Sequence, residues 1–298
     1  MAEATPTVDL LAPEFRERLE HLRLVAQQVR SSGRGGTHLT RLRGSGLEFA
    51  GHRPYSPGDD LRYLDWAALG RLDQLVLKQF DVQGDVTVVL APDCSTSMDY
   101  GEPSKLDLVR QLTGALGYLA LHSADQVALA PLTGGAFERF SGPAHVHDWL
   151  DRASRLRRNK QGLQMRGWIE QARSIHGAAL FIVMTDFLQR ADVLNLFGEI
   201  RRRNAPVIAI YPIAPQEFNP PLSGRSALTA IESGERLKLD ITPETLDAYK
   251  RELNLYRAAI QASCRRIGAG LLEIGTHERM EDVVLMLVAH RIIRVGRS

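Results

Sequence analysis

The chain has 298 residues, of which 44% are hydrophobic and 24% charged, a composition typical of folded globular proteins. Its 37 Lys and Arg and 35 Asp and Glu give a net charge of +2, which excludes a uniformly basic nucleic-acid coat and an acidic disordered tail. The two cysteines, Cys94 and Cys264, form no CxxC pair, which argues against a disulfide scaffold and a cysteine-rich zinc site and indicates a reducing compartment.

The near-neutral total hides two oppositely charged stretches. Residues 81–149 carry nine acidic and three basic side chains, whereas residues 150–210 carry five acidic and eleven basic ones. This segregation favours a polar face that binds charged protein partners. It also predicts that salt weakens partner binding.

The first predicted element is an amphipathic helix over residues 13–30. Its apolar side chains recur three or four positions apart, as they do on one face of a helix. Acidic residues come early, and the segment contains no apolar core of signal-peptide length. The longest late apolar run, residues 283–289, is too short to cross a bilayer. We therefore expect a cytoplasmic protein that does not insert into a membrane.

The following fifty residues are rich in turn-forming residues. Residues 31–46 contain five glycines and are predicted to form a loop with short strands, and 49–60 are predicted to be a turn cluster. The alternation of apolar and polar residues over 74–82 predicts a half-buried strand. Because residues 1–80 contain few apolar runs, we interpret them as an N-terminal subdomain that packs on a domain formed by 81–298.

From residue 84 onward, short aliphatic runs alternate with longer segments of helical periodicity. The predicted strands are 86–90, 127–131, 179–184, 207–211 and 270–274. The predicted helices are 104–122, 146–157, 163–176, 191–203, 243–267 and 279–294. Apolar strands separated by helices are typical of a doubly wound, mostly parallel α/β sheet covered on both faces. Residues 213–242 interrupt the alternation and are predicted to insert a β-hairpin.

Polar side chains follow two of these strands. Asp93, Ser95 and Ser97 come after the first strand in a DxSxS spacing, and Asp186 follows a later one. Open α/β sheets bind ligands beyond the carboxyl ends of their strands, so these side chains are expected to meet. Two carboxylates and two hydroxyls form a hard oxygen set that suits Mg²⁺ or Mn²⁺.

The same loop has a simpler interpretation. Asp and Ser are common as turn residues and helix caps, and Ser97 or Asp99 could cap the helix that follows. In that case the DxSxS loop would be purely structural.

The DxSxS sequence, together with Asp186 after a later strand, resembles the metal-ion-dependent adhesion site of von Willebrand factor A domains. The upstream sequence narrows the resemblance. Its motif residues are Gly46-x-Glu48-Phe49, Arg53-Pro-Tyr55-x-Pro57-Gly58-Asp59-Asp60-x-Arg62-x-x-Asp65-Trp66 and Lys78-x-Phe80. Over about residues 35–100 the chain is similar to the bacterial domain-of-unknown-function 58 family. This resemblance implies a von Willebrand A-like fold and association with a MoxR-type AAA+ ATPase in assembly, maturation or metal insertion of a client complex.

One position departs from the von Willebrand A pattern. Those sites add a Thr from a second loop, whereas the corresponding segment here reads Lys160–Gln161–Gly162. Either the Gln161 carbonyl oxygen or Thr133, at the end of the second strand, is the candidate for this ligand position. The departure puts the metal affinity in question and leaves a vestigial site as an alternative.

The segment after Arg53 is a candidate recognition loop. The charged residues expected to face a partner are Arg53, Asp59, Asp60, Arg62 and Asp65. Alternatively, these charges pair with one another. Tyr55 and Trp66 are expected to pack the N-terminal residues onto the sheet.

The favoured function is a non-enzymatic, metal-dependent protein-interaction module. A metal-dependent hydrolase that uses Asp93 and Asp186 is an alternative, although no phosphate-binding glycine motif or general base is evident. A purely structural domain is a second alternative. The basic side chains between Arg152 and Lys160 lack interleaved aromatic residues, so a solvated or partner-facing surface is favoured over nucleic-acid binding.

Overall fold

A computed structural model shows the architecture of the chain. The structure describes residues 8–31, 47–54, 76–82, 86–123, 126–231 and 234–289. Its helices are α1 (Pro13–Ser31), α2 (Lys105–His122), α3 (Val146–Ser154), α4 (Met165–Ala172), α5 (Arg190–Arg202), α6 (Pro215–Phe218), α7 (Pro243–Ile267) and α8 (Met280–Ala289). Its strands are β1 (Leu47–Pro54), β2 (Val76–Val82), β3 (Thr87–Pro92), β4 (Gln126–Leu129), β5 (Glu138–Ser141), β6 (Ala179–Met184), β7 (Val207–Ile213), β8 (Gly224–Thr229), β9 (Arg236–Ile241) and β10 (Gly270–Gly275).

Six strands form the central sheet, in the order β10-β7-β6-β3-β4-β5. Adjacent strands run parallel except at one edge, where β5 is antiparallel to β4. The chain moves outward from β3 to β5 and then returns to β6 on the other side of β3. The predicted doubly wound, mostly parallel sheet is therefore confirmed, and its strand order reverses between β3 and β6.

Helices cover both faces of the sheet because its central strands are apolar on both sides. Every residue of β3, β6 and β7 is buried. One face packs against α1, α2, α3 and α8, and the opposite face packs against α4, α5 and α7. The result is a three-layer α/β arrangement that fixes the ends of β3 and β6.

The first helix belongs to this core. Phe15, Leu19 and Leu22 of α1 are buried in the same apolar cluster as α2 and α8. An ion pair of 2.6 Å between Arg18 and Glu281 also joins α1 to α8. The division into residues 1–80 and 81–298 stays a prediction, because much of the intervening sequence lies outside the described residues.

The turn cluster predicted for residues 49–60 is wrong in its first half. Leu47–Pro54 form β1, which pairs antiparallel with β2 and contains a bulge between Phe49 and Gly51. A bulge lets a strand absorb an extra residue, so backbone pairing with β2 outweighs the turn propensity of this sequence. Residues 55–60 lie outside the described part of the chain.

Two further elements lie at the periphery. The edge strand β5 was not predicted, because its side chains alternate between half-buried and exposed and form no apolar run. The predicted hairpin insertion is present between β7 and α7, where β8 and β9 form an antiparallel pair from Gly224–Ile241 to Thr229–Arg236.

Candidate functional site

The candidate site lies at the carboxyl edge of the sheet, where the strand order reverses. Two backbone hydrogen bonds fix the strand ends here. Leu132 N–H donates to the Pro92 carbonyl at 2.9 Å, and Asp93 N–H donates to the Met184 carbonyl at 2.8 Å. Asp93 therefore follows β3 directly and lies between the ends of β4 and β6. Ligands of open α/β sheets bind at such a switch point.

Asp93 is buried, with only 1% of its surface exposed. Its Oδ1 accepts a hydrogen bond from Ser95 N–H at 2.8 Å, and its Oδ2 accepts one from the Thr185 hydroxyl at 2.7 Å. Among the described residues, no cation forms an ion pair with this carboxylate. Burying a carboxylate is costly, and proteins usually compensate by pairing it or by binding a metal.

The electrostatic cost is visible in the pKa of Asp93, which is raised from 3.8 to about 6. Burial is the largest cause, and the negative charge of Asp186 adds to it. The hydrogen bonds from Ser95 and Thr185 act in the opposite direction without cancelling the rise. A cation between the two carboxylates would favour the ionised form of Asp93 and so oppose both effects.

The two serines of the DxSxS loop present their hydroxyls together. Ser95 Oγ and Ser97 Oγ are 3.1 Å apart, and both residues are buried. Neither Ser97 nor Asp99 caps the following α-helix. Ser104 is the N-cap of α2, and its hydroxyl accepts a hydrogen bond from Asp107 N–H at 3.1 Å. The capping role considered for Ser97 and Asp99 is therefore wrong for this helix.

Asp186 follows β6, and both of its oxygens are engaged. Oδ1 accepts a hydrogen bond from Leu188 N–H at 3.0 Å, and Oδ2 accepts one from Lys105 Nζ at 2.8 Å. Lys105 Nζ also lies 3.0 Å from Glu217 Oε1. Burial disfavours the charged form of Lys105, but attraction to Asp186 and Glu217 outweighs burial, so the pKa of Lys105 is raised.

Phe187 fixes the turn that carries Asp186. Its φ of 57° lies in the left-handed region, which a bulky residue adopts only when the surroundings hold it there. Here its N–H donates to Thr185 Oγ1 at 3.3 Å, and its carbonyl accepts a hydrogen bond from the Tyr256 hydroxyl at 2.6 Å. Its ring is fully buried. The same Thr185 hydroxyl therefore supports both the turn and Asp93.

The two candidates for the additional ligand position differ in burial. Thr133 is 4% exposed and lies just after the Leu132–Pro92 hydrogen bond, whereas Gln161 is exposed. Asn159 joins this region to the DxSxS loop, because its N–H donates to the Cys94 carbonyl at 2.7 Å and its side-chain amide donates to the Thr133 carbonyl at 3.3 Å. Of the two candidates, Thr133 is therefore the buried one.

The donor set fits a hard cation. Asp93, Ser95 and Ser97 provide carboxylate and hydroxyl oxygens, with the Asp186 charge nearby, and Mg²⁺ and Mn²⁺ prefer oxygen ligands. Within the described ranges, no group of three or more His, Cys, Asp or Glu side chains is arranged to hold a metal. Any metal at this edge would therefore depend on the serine hydroxyls and on water.

The predicted recognition loop is only partly described. Arg53 lies in β1 opposite Leu77 of β2. The predicted partner-binding residues Asp59, Asp60, Arg62 and Asp65 lie outside the described residues, as do Tyr55 and Trp66.

Cys94, next to Asp93, does not supply a nucleophile at neutral pH. Burial, together with the charge of Asp93, raises the pKa of its thiol to about 12. The thiol therefore stays protonated, and thiolate chemistry requires the deprotonated form.

Three arginines of the basic stretch at residues 150–210 form ion pairs within the fold. These pairs join Arg152 to Glu138, Arg155 to Asp151 and Arg158 to Asp99. The last of them links the basic stretch to the acidic DxSxS loop, so part of the charge segregation is neutralised within the fold.

Sequence reasoning missed Lys105, Glu217 and the structural roles of Thr185 and Asn159. Thr185 could have been identified, because it immediately precedes Asp186 and is adjacent to the strand end. Lys105 carries a weaker signal, as a cation at the first position of a helix whose N-terminus disfavours positive charge.

Residues 51–259 match the family model described as "Protein of unknown function DUF58". Uncharacterized proteins of Mycobacterium tuberculosis and Mycobacterium bovis are each 26% identical to the chain over 294 residues. These alignments cover 95% of the chain and 92% of each relative.

Two solved structures show a weaker similarity. The conserved hypothetical protein BatB from Bacteroides thetaiotaomicron has a TM-score of 0.44 and 13% identity, covering 68% of the chain and 97% of BatB. An aerotolerance-related membrane protein from Bacteroides fragilis has a TM-score of 0.42 and 14% identity, covering 69% of the chain and 99% of that protein. Among the described residues, no helix combines the length and the apolar character needed to cross a membrane.

Proposed function

The chain belongs to the DUF58 family of proteins of unknown function, and we propose that it is a non-enzymatic, metal-dependent protein-interaction module. Its binding face is the carboxyl edge of the sheet, where Asp93, Ser95 and Ser97 would hold Mg²⁺ or Mn²⁺. The observation that carries the proposal is the buried Asp93 carboxylate, which is paired with no cation among the described residues.

The hydrogen bonds around Asp93 leave room in its coordination for an external cation. Ser95 N–H and the Thr185 hydroxyl orient its two oxygens, and each carboxylate oxygen keeps a second lone pair. The hydroxyls of Ser95 and Ser97 follow Asp93 in the same loop and lie 3.1 Å from each other. A bound Mg²⁺ would offer a coordination position that a partner's carboxylate can fill.

Asp186 has a different role in this proposal. Because Leu188 N–H and Lys105 already engage its oxygens, it contributes mainly through its negative charge. Thr133 is the preferred additional ligand, since it is buried at the end of the neighbouring strand.

We propose a MoxR-type AAA+ ATPase as the partner, with the pair acting in assembly or maturation of a client complex. The support for this partner is the resemblance of residues 35–100 to the domain-of-unknown-function 58 family, whose members are associated with MoxR-type ATPases. An acidic side chain of the ATPase would complete the metal coordination, and the charged loop after Arg53 would extend the interface.

A calorimetric Mg²⁺ titration tests the metal site. Binding to the wild-type protein should be lost in Asp93→Ala and retained in Asp99→Ala. Asp99 is the matched control, because it lies in the same loop but is exposed and paired with Arg158. Equal Mg²⁺ binding by wild type and Asp93→Ala, or no binding by wild type, would contradict the proposal.

The same variants separate the alternatives. Phosphoester turnover that requires Mg²⁺ and disappears in Asp93→Ala would favour the hydrolase. Absence of both metal binding and turnover, with an unchanged fold, would favour a structural domain with a vestigial site.

A further inference from the structure

A buried ammonium group lies beside the proposed metal site. Lys105 is 2% exposed, and its Nζ lies 2.8 Å from Asp186 Oδ2 and 3.0 Å from Glu217 Oε1. Buried lysines are uncommon and require partners of opposite charge. Here both partners are carboxylates, and one of them is the candidate site residue Asp186.

The position of Lys105 is fixed from several directions. It is the first residue of α2, directly after the Ser104 cap. Its second partner, Glu217, is itself held, because Glu217 Oε2 accepts a hydrogen bond from Ala214 N–H at 2.7 Å and its carbonyl accepts one from the Tyr249 hydroxyl at 2.8 Å. The ammonium would therefore stay beside the site if the Asp186 contact were lost.

The charges of the three carboxylates Asp93, Asp186 and Glu217 are unevenly compensated. Lys105 pairs with Asp186 and Glu217, whereas Asp93 forms no ion pair within the described part of the chain. With all groups ionised, three carboxylates and one ammonium leave two negative charges. One divalent cation would neutralise them. Without Lys105, the same cation would leave a net negative site.

We propose that Lys105 is a fixed counter-ion beside the proposed metal site. Its positive charge lowers the affinity of this site for the divalent cation, and it keeps the metal-bound site able to bind a carboxylate of the partner. This inference rests on the proposed metal-dependent function. The ammonium competes for Asp186 Oδ2 and repels an incoming cation. After metal binding, its positive charge prevents the remaining carboxylates from repelling an acidic side chain of the partner.

Calorimetric titration with Mg²⁺ alone tests this role. Lys105→Met removes the charge, and Lys105→Gln removes it while retaining a hydrogen-bond donor for the carboxylates. If the Lys105→Met protein does not fold, the Lys105→Gln variant provides the measurement. Lys160→Met is the matched control, because Lys160 is an exposed lysine in the loop that follows α3.

We expect either Lys105 variant to bind Mg²⁺ at least about 10-fold more tightly than wild type, because charges a few ångströms apart interact strongly at partly buried sites. Lys160→Met should bind Mg²⁺ as wild type does. Glu217→Gln should shift affinity in the opposite direction and weaken Mg²⁺ binding several-fold.

The two proposals fail in different ways. If wild type binds Mg²⁺ and both Lys105 variants bind it equally or more weakly, the counter-ion role is wrong and the metal site stands. Equal or tighter binding by Glu217→Gln would also contradict the charge argument. If neither wild type nor any Lys105 variant binds Mg²⁺, both the metal site and the counter-ion role are overturned.

Discussion

Replacing Asp93 with Asn is expected to stabilise the metal-free protein at neutral pH. The substitution removes a buried negative charge next to Asp186 but keeps the size of the side chain. The amide oxygen can still accept the Ser95 N–H, and the Thr185 hydroxyl can turn to accept from the amide nitrogen. Stabilisation by substituting a buried site residue is unusual, so the prediction discriminates well.

The magnitude follows from the pKa of Asp93, which rises from 3.8 to about 6 on folding. Each pKa unit corresponds to about 1.4 kcal/mol, so the buried charge costs roughly 3 kcal/mol at pH 7.5. Because the folded-state pKa is the higher one, this cost is absent below pH 3.8, where the carboxyl is protonated in both states, and it grows as the pH rises from 3.8 through 6. At pH 5 about half of the cost applies.

Chemical denaturation in the presence of EDTA measures this effect. The difference in unfolding free energy between Asp93→Asn and wild type should grow by about 1.5 kcal/mol from pH 5 to pH 7.5. This pH-dependent change is unaffected by any constant effect of the amide group. Asp99→Asn, at an exposed position in the same loop, serves as the control. A difference that stays constant or shrinks over this pH range would refute the electrostatic argument.

Three further predictions concern the same face. Ser97→Ala should weaken Mg²⁺ binding at least about 10-fold in calorimetry, while the unfolding free energy of the metal-free protein changes by only about 1 kcal/mol. Unchanged Mg²⁺ affinity would exclude Ser97 as a ligand. Tyr256→Phe removes the hydrogen bond to the Phe187 carbonyl and should lower the unfolding free energy by about 0.5–1.5 kcal/mol, so an unaltered denaturation midpoint would argue against this support of the Asp186 turn. Raising the salt concentration from about 0.05 to 0.5 M should weaken partner binding in a biosensor assay, and salt-independent binding would contradict a charged interface.

The sheet and its polar edge were predictable because both depend on local sequence signals. Continuous aliphatic runs identified the buried parallel strands, and the residues that follow such runs lie at the carboxyl edge by topology. These signals placed Asp93 and Asp186 on neighbouring strands. They failed at β5, where an exposed edge strand has no apolar run, and at β1, where a bulge and a proline concealed the strand.

The ion pairs of Lys105 could not be predicted in this way. Lys105 is 81 positions from Asp186 and 112 positions from Glu217, and no periodic pattern connects residues so far apart. For the same reason, the sequence could not decide between Gln161 and Thr133. Which of them is buried depends on how the loops pack at this edge of the sheet. Contacts between distant loops require the three-dimensional structure.

The most direct test of a metal-dependent interaction is the affinity of the immobilised protein for a purified MoxR-type AAA+ ATPase. Binding should be tight in Mg²⁺, be lost in EDTA and return when Mg²⁺ is restored. Asp93→Ala should fail to bind in either buffer, whereas Asp99→Ala should bind as wild type does. Equal binding in Mg²⁺ and EDTA, or full binding by Asp93→Ala, would contradict a metal-dependent interaction at this edge of the sheet.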